Sequence, residues 1–357
     1  MNMARKYLLS ITLLLIFSCS GCRMTYLLHM GIGQLRFIHG SIPVKEALQK
    51  DALTSNQKDR LRLVGKIKRF GIDKLGLKNI DCYETVYLKA PQHHIYVISA
   101  SPKDRLARIT WWFPVVGRMP YLGFFDLEEA RAERETLEKK RLDVSIGVAD
   151  AYSTLGWFND PVTLNMIRGS LVGQVETILH EMTHNTIYLK GQGEFNEGIA
   201  VLVGKVGAWM FLAETQGVSD PLTIEAEGSI EDERLFCRFL NGVLKGLEEL
   251  YASQLGYEEK LKRREVIFSS SLETFRALKA QFRTRRFSRF GEAGLNNAYL
   301  MSVGLYHKHF LLFDALLKQY DSSIPRTLAF LTRLSKDGGD MIQKIRDWLE
   351  NKSPHEI

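Results

Sequence analysis

The sequence predicts an α+β fold, with a small sheet built early and a long, mostly helical C-terminal part. Three observations carry this. Between Glu84 and Val148, short β-branched and aromatic runs recur between Pro and Gly, as strands do. After Val172, apolar residues return at three- to four-residue spacing almost to the end of the chain, as in amphipathic helices. With 45% hydrophobic and 25% charged residues over 357 positions, the chain reads as globular, with material for one large core or two modest ones.

The first 21 residues stand apart. Arg5 and Lys6 precede an apolar run from Tyr7 to Phe17. That run has the length of a signal-peptide core and is too short for a comfortable transmembrane helix. Ser18-Cys19-Ser20-Gly21-Cys22 follows and resembles a bacterial lipoprotein box, in which the Cys after a small-residue pair carries the lipid. Cys22 fits best as the lipidated residue, and Cys19 is the alternative. Residue 23 is Arg, not Asp, so the inner-membrane retention cue is absent. The expectation is a periplasmic body anchored to the outer membrane through Cys22. Cys82 and Cys237 then remain, free to pair in an oxidising compartment.

Residues 22–80 read as an N-terminal helical segment, interrupted at Gly40-Ser41-Ile42-Pro43. Residues 81–170 form the sheet region. Thr85 to Leu88, Ile95 to Ile98, Ile109 to Phe113 and Val144 to Val148 are its strands, and Leu127 to Lys140 is a charged helix. Residues 171–357 are helical, with segments expected at 172–190, 196–214, 230–253, 257–284, 295–320, 326–334 and 339–350. Gly228 to Arg234 holds four charges in seven residues and reads as a surface turn. Lys260 to Arg289 is rich in Lys and Arg. It suits lipid head groups, although a solvated helical face explains it as well. The net charge of +7 is mild for this length, and export disfavours a nucleic-acid role.

The chemistry gathers in Glu176-Thr-Ile-Leu-His180-Glu181-Met-Thr-His184. On a helix, residues four apart share a face, so His180 and His184 can direct imidazole nitrogens at one metal ion. Glu181 lies beside them as the general base for a zinc-bound water. Past the turn at Gly191 and Gly193 comes Phe195-Asn196-Glu197. Asn196 is the expected N-cap of the next helix. The reversal aims Glu197 at the metal as third ligand and leaves a fourth position open, as catalytic zinc requires. Glu194 falls in the loop, either as a group for a substrate amine or in solvent. Tyr306 can donate its hydroxyl to a developing oxyanion, or simply pack on the 295–320 helix. His93, His94, His307 and His309 read as non-ligands.

His180-Glu-x-x-His184 followed by Asn196-Glu-x-x-Ala200 resembles the thermolysin-like class of zinc peptidases, although the interval to Glu197 is shorter than in the best-known zinc aminopeptidases. Further motifs extend the likeness. They include Phe113-Pro-Val-Val-Gly117, Gly123-Phe-Phe-Asp126, Ala151 to Pro161, Tyr188-Leu-Lys-Gly191 and Asn296-Asn-Ala298. Together they resemble the family of predicted bacterial lipoprotein aminopeptidases over nearly the whole mature chain. Gly198-Ile199 stands where that family often has Ser-Phe. The resemblance implies a zincin-like fold and an aminopeptidase acting on peptides. It also implies a substrate-pairing edge strand before the metal helix, at Tyr152, Thr154 and Gly156, where a buried strand and turn is the other reading. An envelope quality-control endopeptidase and an inactive zinc-containing scaffold are the competing readings.

Overall fold

The computed structural model describes residues 39–79, 81–88, 95–113, 117–149 and 161–352. It opens on a short strand, β1 (Ser41–Pro43), then a one-turn helix, α1 (Val44–Ala47), and α2 (Ser55–Asp73). The interruption at Gly40 is therefore a strand, too short to show periodicity on its own. α2 starts on a capping box. Thr54 accepts from the Gln57 N–H, and the Gln57 side chain accepts from the Thr54 N–H, which settles two end donors that a helix cannot pair internally.

The sheet region follows as β2 (Thr85–Tyr87), β3 (Ile95–Pro102), β4 (Trp111–Phe113), β5 (Gly117–Met119) and β6 (Leu122–Phe124), then helix α3 (Leu127–Lys139) and β7 (Leu142–Ala149). β3 is central. It pairs antiparallel with β6 on one side and β7 on the other, with Ile98 opposite both Leu122 and Ile146. Ile98, Ala100, Trp111, Phe113, Leu122, Phe124 and Val144 bury one face against Ala130 and Leu137 of α3. β4 and β5 form a hairpin. β2 joins β1 antiparallel and β8 (Val162–Thr163) parallel in a second small sheet.

α4 (Leu164–Arg168) leads into α5 (Leu171–Thr186), which is capped by the Ser170 hydroxyl on the Gly173 N–H. Then come α6 (Gly193–Gln216), α7 (Pro221–Ala252), α8 (Tyr257–Leu278), α9 (Asn297–His307), α10 (Phe310–Lys318), α11 (Ile324–Leu334) and α12 (Met341–Lys352). α6 is long and apolar enough to cross a membrane, yet most of it is buried inside the protein, between α5, α7, α9 and α10. A helix covered on all sides has no polar face to show. One large core runs from Ala47 through α2, α5, α6 and α10 to Ile345, so the N-terminal segment and the C-terminal helices share it. A second cluster, rich in Phe, joins α7, α8 and α9 to the 282–295 connection.

Two expectations change, and one open point closes. Residues 228–234 are no turn. They lie inside α7, with Gly228, Ser229, Asp232 and Glu233 buried. Their charges find partners inside the protein, which local composition cannot show. The 295–320 helix is broken at His309, whose backbone leaves the helical region at φ −107° and ψ 11°. His309 Nε2 is engaged there by Glu194 Oε2 at 2.7 Å. Cys82 and Cys237, whose pairing the sequence leaves open, are not joined by a disulfide. Cys82 lies beside Asn185, and Cys237 beside Asn241 and the Lys308 carbonyl.

α5 and α6 form an antiparallel pair in close approach. A Cβ on Gly204 would stand 2.7 Å from the Glu176 carbonyl oxygen and 3.3 Å from His180 Cβ. The first contact is with backbone and cannot be relieved by a rotamer change. Gly204→Ala is expected to push the two helices apart at a cost of about 1–3 kcal/mol, seen as a lower thermal midpoint together with weaker metal uptake. An unchanged midpoint would mean that the helices have room to spare.

Candidate metal centre

α5 brings His180 and His184 to one face, and the reversal into α6 returns Glu197 to them. His180 Nε2 and His184 Nε2 are 3.1 Å apart. Glu197 Oε2 lies 3.3 Å from the first and 3.5 Å from the second. The connection between the helices is held by Asn196, although not as an N-cap. α6 already begins at Gly193. The Asn196 side chain reaches back, accepts from the Leu189 N–H and donates to the Leu189 carbonyl, both at 2.9 Å. This closes the loop that presents Glu197.

Zinc ligand bonds of 2.0–2.1 Å in a tetrahedral shell put ligand atoms about 3.3 Å apart. The three observed separations, 3.1, 3.3 and 3.5 Å, straddle that value. Glu197 Oε2 is buried with no hydrogen-bond partner among the described residues, as is Glu181 Oε2. Buried carboxylate oxygens rarely stay unpaired, so the donor set fits a cation. Burial pushes the Glu197 pKa up, but contact with His180 and His184 outweighs it and holds the carboxyl down at about 2. For His184, burial lowers the pKa, and Glu197 and then Glu181 more than reverse it. These are groups poised to share one positive charge.

Two tyrosines border the site. The Tyr306 ring stacks on His180 at 6.3 Å between centroids, with 27° between planes. The residue is 39% exposed. Partial burial, then Glu197, Tyr121 and Glu181, push its phenol well above the ordinary value, so the hydroxyl keeps its proton and can donate. Tyr188 meets His184 edge-on at 6.3 Å and is also exposed. Nothing in its local sequence marks Tyr188 for a role.

Glu194 lies in the first turn of α6, not in a loop. Arg108 donates to its Oε1 at 2.9 Å, and His309 contacts its Oε2 at 2.7 Å. Burial raises its pKa, but His309 and Arg108 prevail and hold it at about 2. Both oxygens are engaged, so Glu194 anchors α6 to the β3–β4 connection and is not a ready group for a substrate amine. Tyr152, Thr154, Gly156, Cys22, His93 and His94 lie outside the described residues.

Below the metal face lies a charged cluster that local sequence does not show. Glu176, one turn before His180, accepts from the Ser229 hydroxyl at 2.6 Å. It pairs with Arg286 and lies 3.6 Å from Lys205. Lys205 is 1% exposed and reaches Glu233 at 3.4 Å. Glu233 in turn engages Nδ1 of His307. The i, i+4 spacing of Glu176 and His180 was the one available signal, since it marks a carboxylate on the metal face of α5.

The family model described as "Putative aminopeptidase" matches residues 25–343. The chain belongs to this family. The matched span takes in every residue of the metal centre and of the cluster beneath it. No curated protein and no solved structure matches the chain. In this member of the family, Gly198 is explained by packing. A Cβ there would stand 2.5 Å from the Phe313 ring, so a serine at 198 would require Phe313 to move.

Proposed function

We propose that this chain is a zinc-dependent peptidase of zincin-like fold that removes N-terminal residues from peptides in the cell envelope. The observation that carries the reading is the convergence of His180 Nε2, His184 Nε2 and Glu197 Oε2 at 3.1–3.5 Å, beside a buried Glu181 oxygen with no partner among the described residues. The His, His, carboxylate set suits zinc among the available divalent ions. Family membership supports peptide bonds as the target.

Zinc held there supplies Lewis acidity to the scissile carbonyl and the attacking water. The chain's own residues do the rest. Glu181 takes a proton from the water as its oxygen bonds to the carbonyl carbon. It returns that proton to the amine nitrogen as the C–N bond breaks. Tyr306 donates its hydroxyl to the oxyanion. Tyr188 and Tyr306, set against His184 and His180, orient the peptide. The apolar N-terminal run and Cys22 support a lipid-anchored, periplasmic location at the outer membrane.

The deciding experiment combines metal analysis of the purified chain with digestion of a peptide and its N-acetylated form. The expected result is one zinc per chain and loss of the first residue from the free peptide only. Cleavage of the acetylated peptide at an internal bond would make the protein an endopeptidase. Zinc without any hydrolysis would leave a scaffold.

A further inference from the structure

Arg286 differs from the other members of the buried cluster in one respect. Glu176, Lys205, Ser229 and Glu233 are all enclosed, whereas the Arg286 side chain is 38% exposed. Its position is firmly set. Asp232, fully buried on α7, accepts from the Arg283 N–H at 2.7 Å, the Thr284 N–H at 2.8 Å and the Thr284 hydroxyl at 2.6 Å. On the other side Phe287 is buried and stacks on Phe236 at 3.9 Å. An arginine pinned between two such anchors loses little further freedom when it binds something.

One guanidinium nitrogen bonds the Glu176 carboxylate. The remaining side-chain N–H groups have no partner among the described residues, and a guanidinium offers five donors in a rigid fork. Neutralising Glu176 does not require an open fork, because Lys205 already stands between Glu176 and Glu233.

The fork is also bonded to the helix that carries His180 and His184. Glu176 and His180 occupy successive turns of α5, so their Cβ atoms are about 5–6 Å apart. A line of rings joins the two places. Phe287 meets His307 at 5.4 Å, His307 meets Tyr306 at 6.3 Å, and Tyr306 meets His180 at 6.3 Å. An extended peptide advances about 3.3 Å per residue. A group at Arg286 therefore belongs to a residue of the same peptide near the bond held at the metal.

We propose that Arg286 is the anion subsite of this centre and takes a carboxylate of the peptide, either its C-terminus or an acidic side chain. Carboxylate is the ionised acceptor that an unmodified peptide carries, and its two oxygens match the fork. The proposal rests on the peptidase reading and makes short or acidic peptides the preferred substrates.

The test reads binding, so that it does not depend on turnover. The zinc-loaded full chain carrying Glu181→Gln is titrated calorimetrically with a neutral tripeptide, its C-terminal amide, and an amide with Asp at the second position. The free acid is expected to bind about tenfold or more tightly than the plain amide. If the Asp-containing amide regains that affinity, a side chain serves as the carboxylate; if only the free acid does, the C-terminus is the source. Adding Arg286→Gln should erase the preference. Arg286→Lys keeps a positive charge on Glu176 and should retain only part of it, and its thermal midpoint guards against misfolding. Equal affinities for all three peptides, no binding of the free acid, or a preference that survives Arg286→Gln would overturn the subsite. Failure of the peptidase reading appears separately, as absence of cleavage of the same peptides by the zinc-loaded wild type.

Discussion

Glu181→Gln is expected to bind zinc as the wild type does and to lose peptide hydrolysis by about 10²- to 10⁴-fold. The substitution keeps the shape of the side chain and removes only its ability to carry a proton. His180, His184 and Glu197 stay where they are, since none of their contacts runs through Glu181. Glu181 Oε2 is buried with no partner among the described residues, so a neutral amide there should leave the thermal midpoint unchanged or raise it, the usual trade between an active centre and stability. Metal content, initial rates on a free peptide and a melting curve measured on one preparation separate the possibilities. Hydrolysis at the wild-type rate would remove Glu181 from the mechanism. Loss of zinc along with activity would show instead that Glu181 supports the ligands.

The second large effect is on stability. Lys205→Met is expected to destabilise the protein by about 3–5 kcal/mol, the range for removing one partner from a buried ion pair. The Lys205 ammonium lies between Glu176 at 3.6 Å and Glu233 at 3.4 Å and donates to the Ser229 hydroxyl at 2.8 Å. Burial pushes the Glu233 pKa up, but His307 and Lys205 outweigh it and hold the carboxyl at about 2. Without the ammonium, two enclosed carboxylates share only Arg286 and His307. Neutralising one of them in the double variant Lys205→Met/Glu233→Gln should recover part of the loss, because a buried charge without its partner is the larger cost. Thermal or urea unfolding of both variants measures this. A single variant as stable as the wild type would mean that water reaches the cluster. Because Glu176 sits one turn from His180, weaker zinc uptake should accompany the unfolding shift.

Much of the architecture is legible from local pattern. Helix α5 and the placement of His180, Glu181 and His184 on it follow from apolar periodicity and i, i+4 spacing. The strands at β3 and β7 follow from β-branched runs, although β3 continues to Pro102 because β7 pairs with it along that whole length. Glu197 is also readable, as the first carboxylate past a glycine reversal that can face the metal. Lys260 to Arg289 is less uniform than its composition suggests. Arg264 is buried on Asp143 at 2.7 Å, and Arg286 is bound to Glu176.

What could be read from the chain alone is whatever depends on neighbours within about one or two helical turns: the helix, the paired imidazoles and the carboxylate beside them. What needed the folded molecule is whatever depends on which charges meet across distant segments. Glu194 reads as a loop acid until Arg108, 86 residues away, and His309, 115 residues away, close on it. Residues 228–234 read as a polar turn until Lys205, His307 and the Arg283–Thr284 backbone are seen to satisfy their carboxylates. A charge is as polar in the sequence when buried as when exposed, and only its partners in space decide which of the two it becomes.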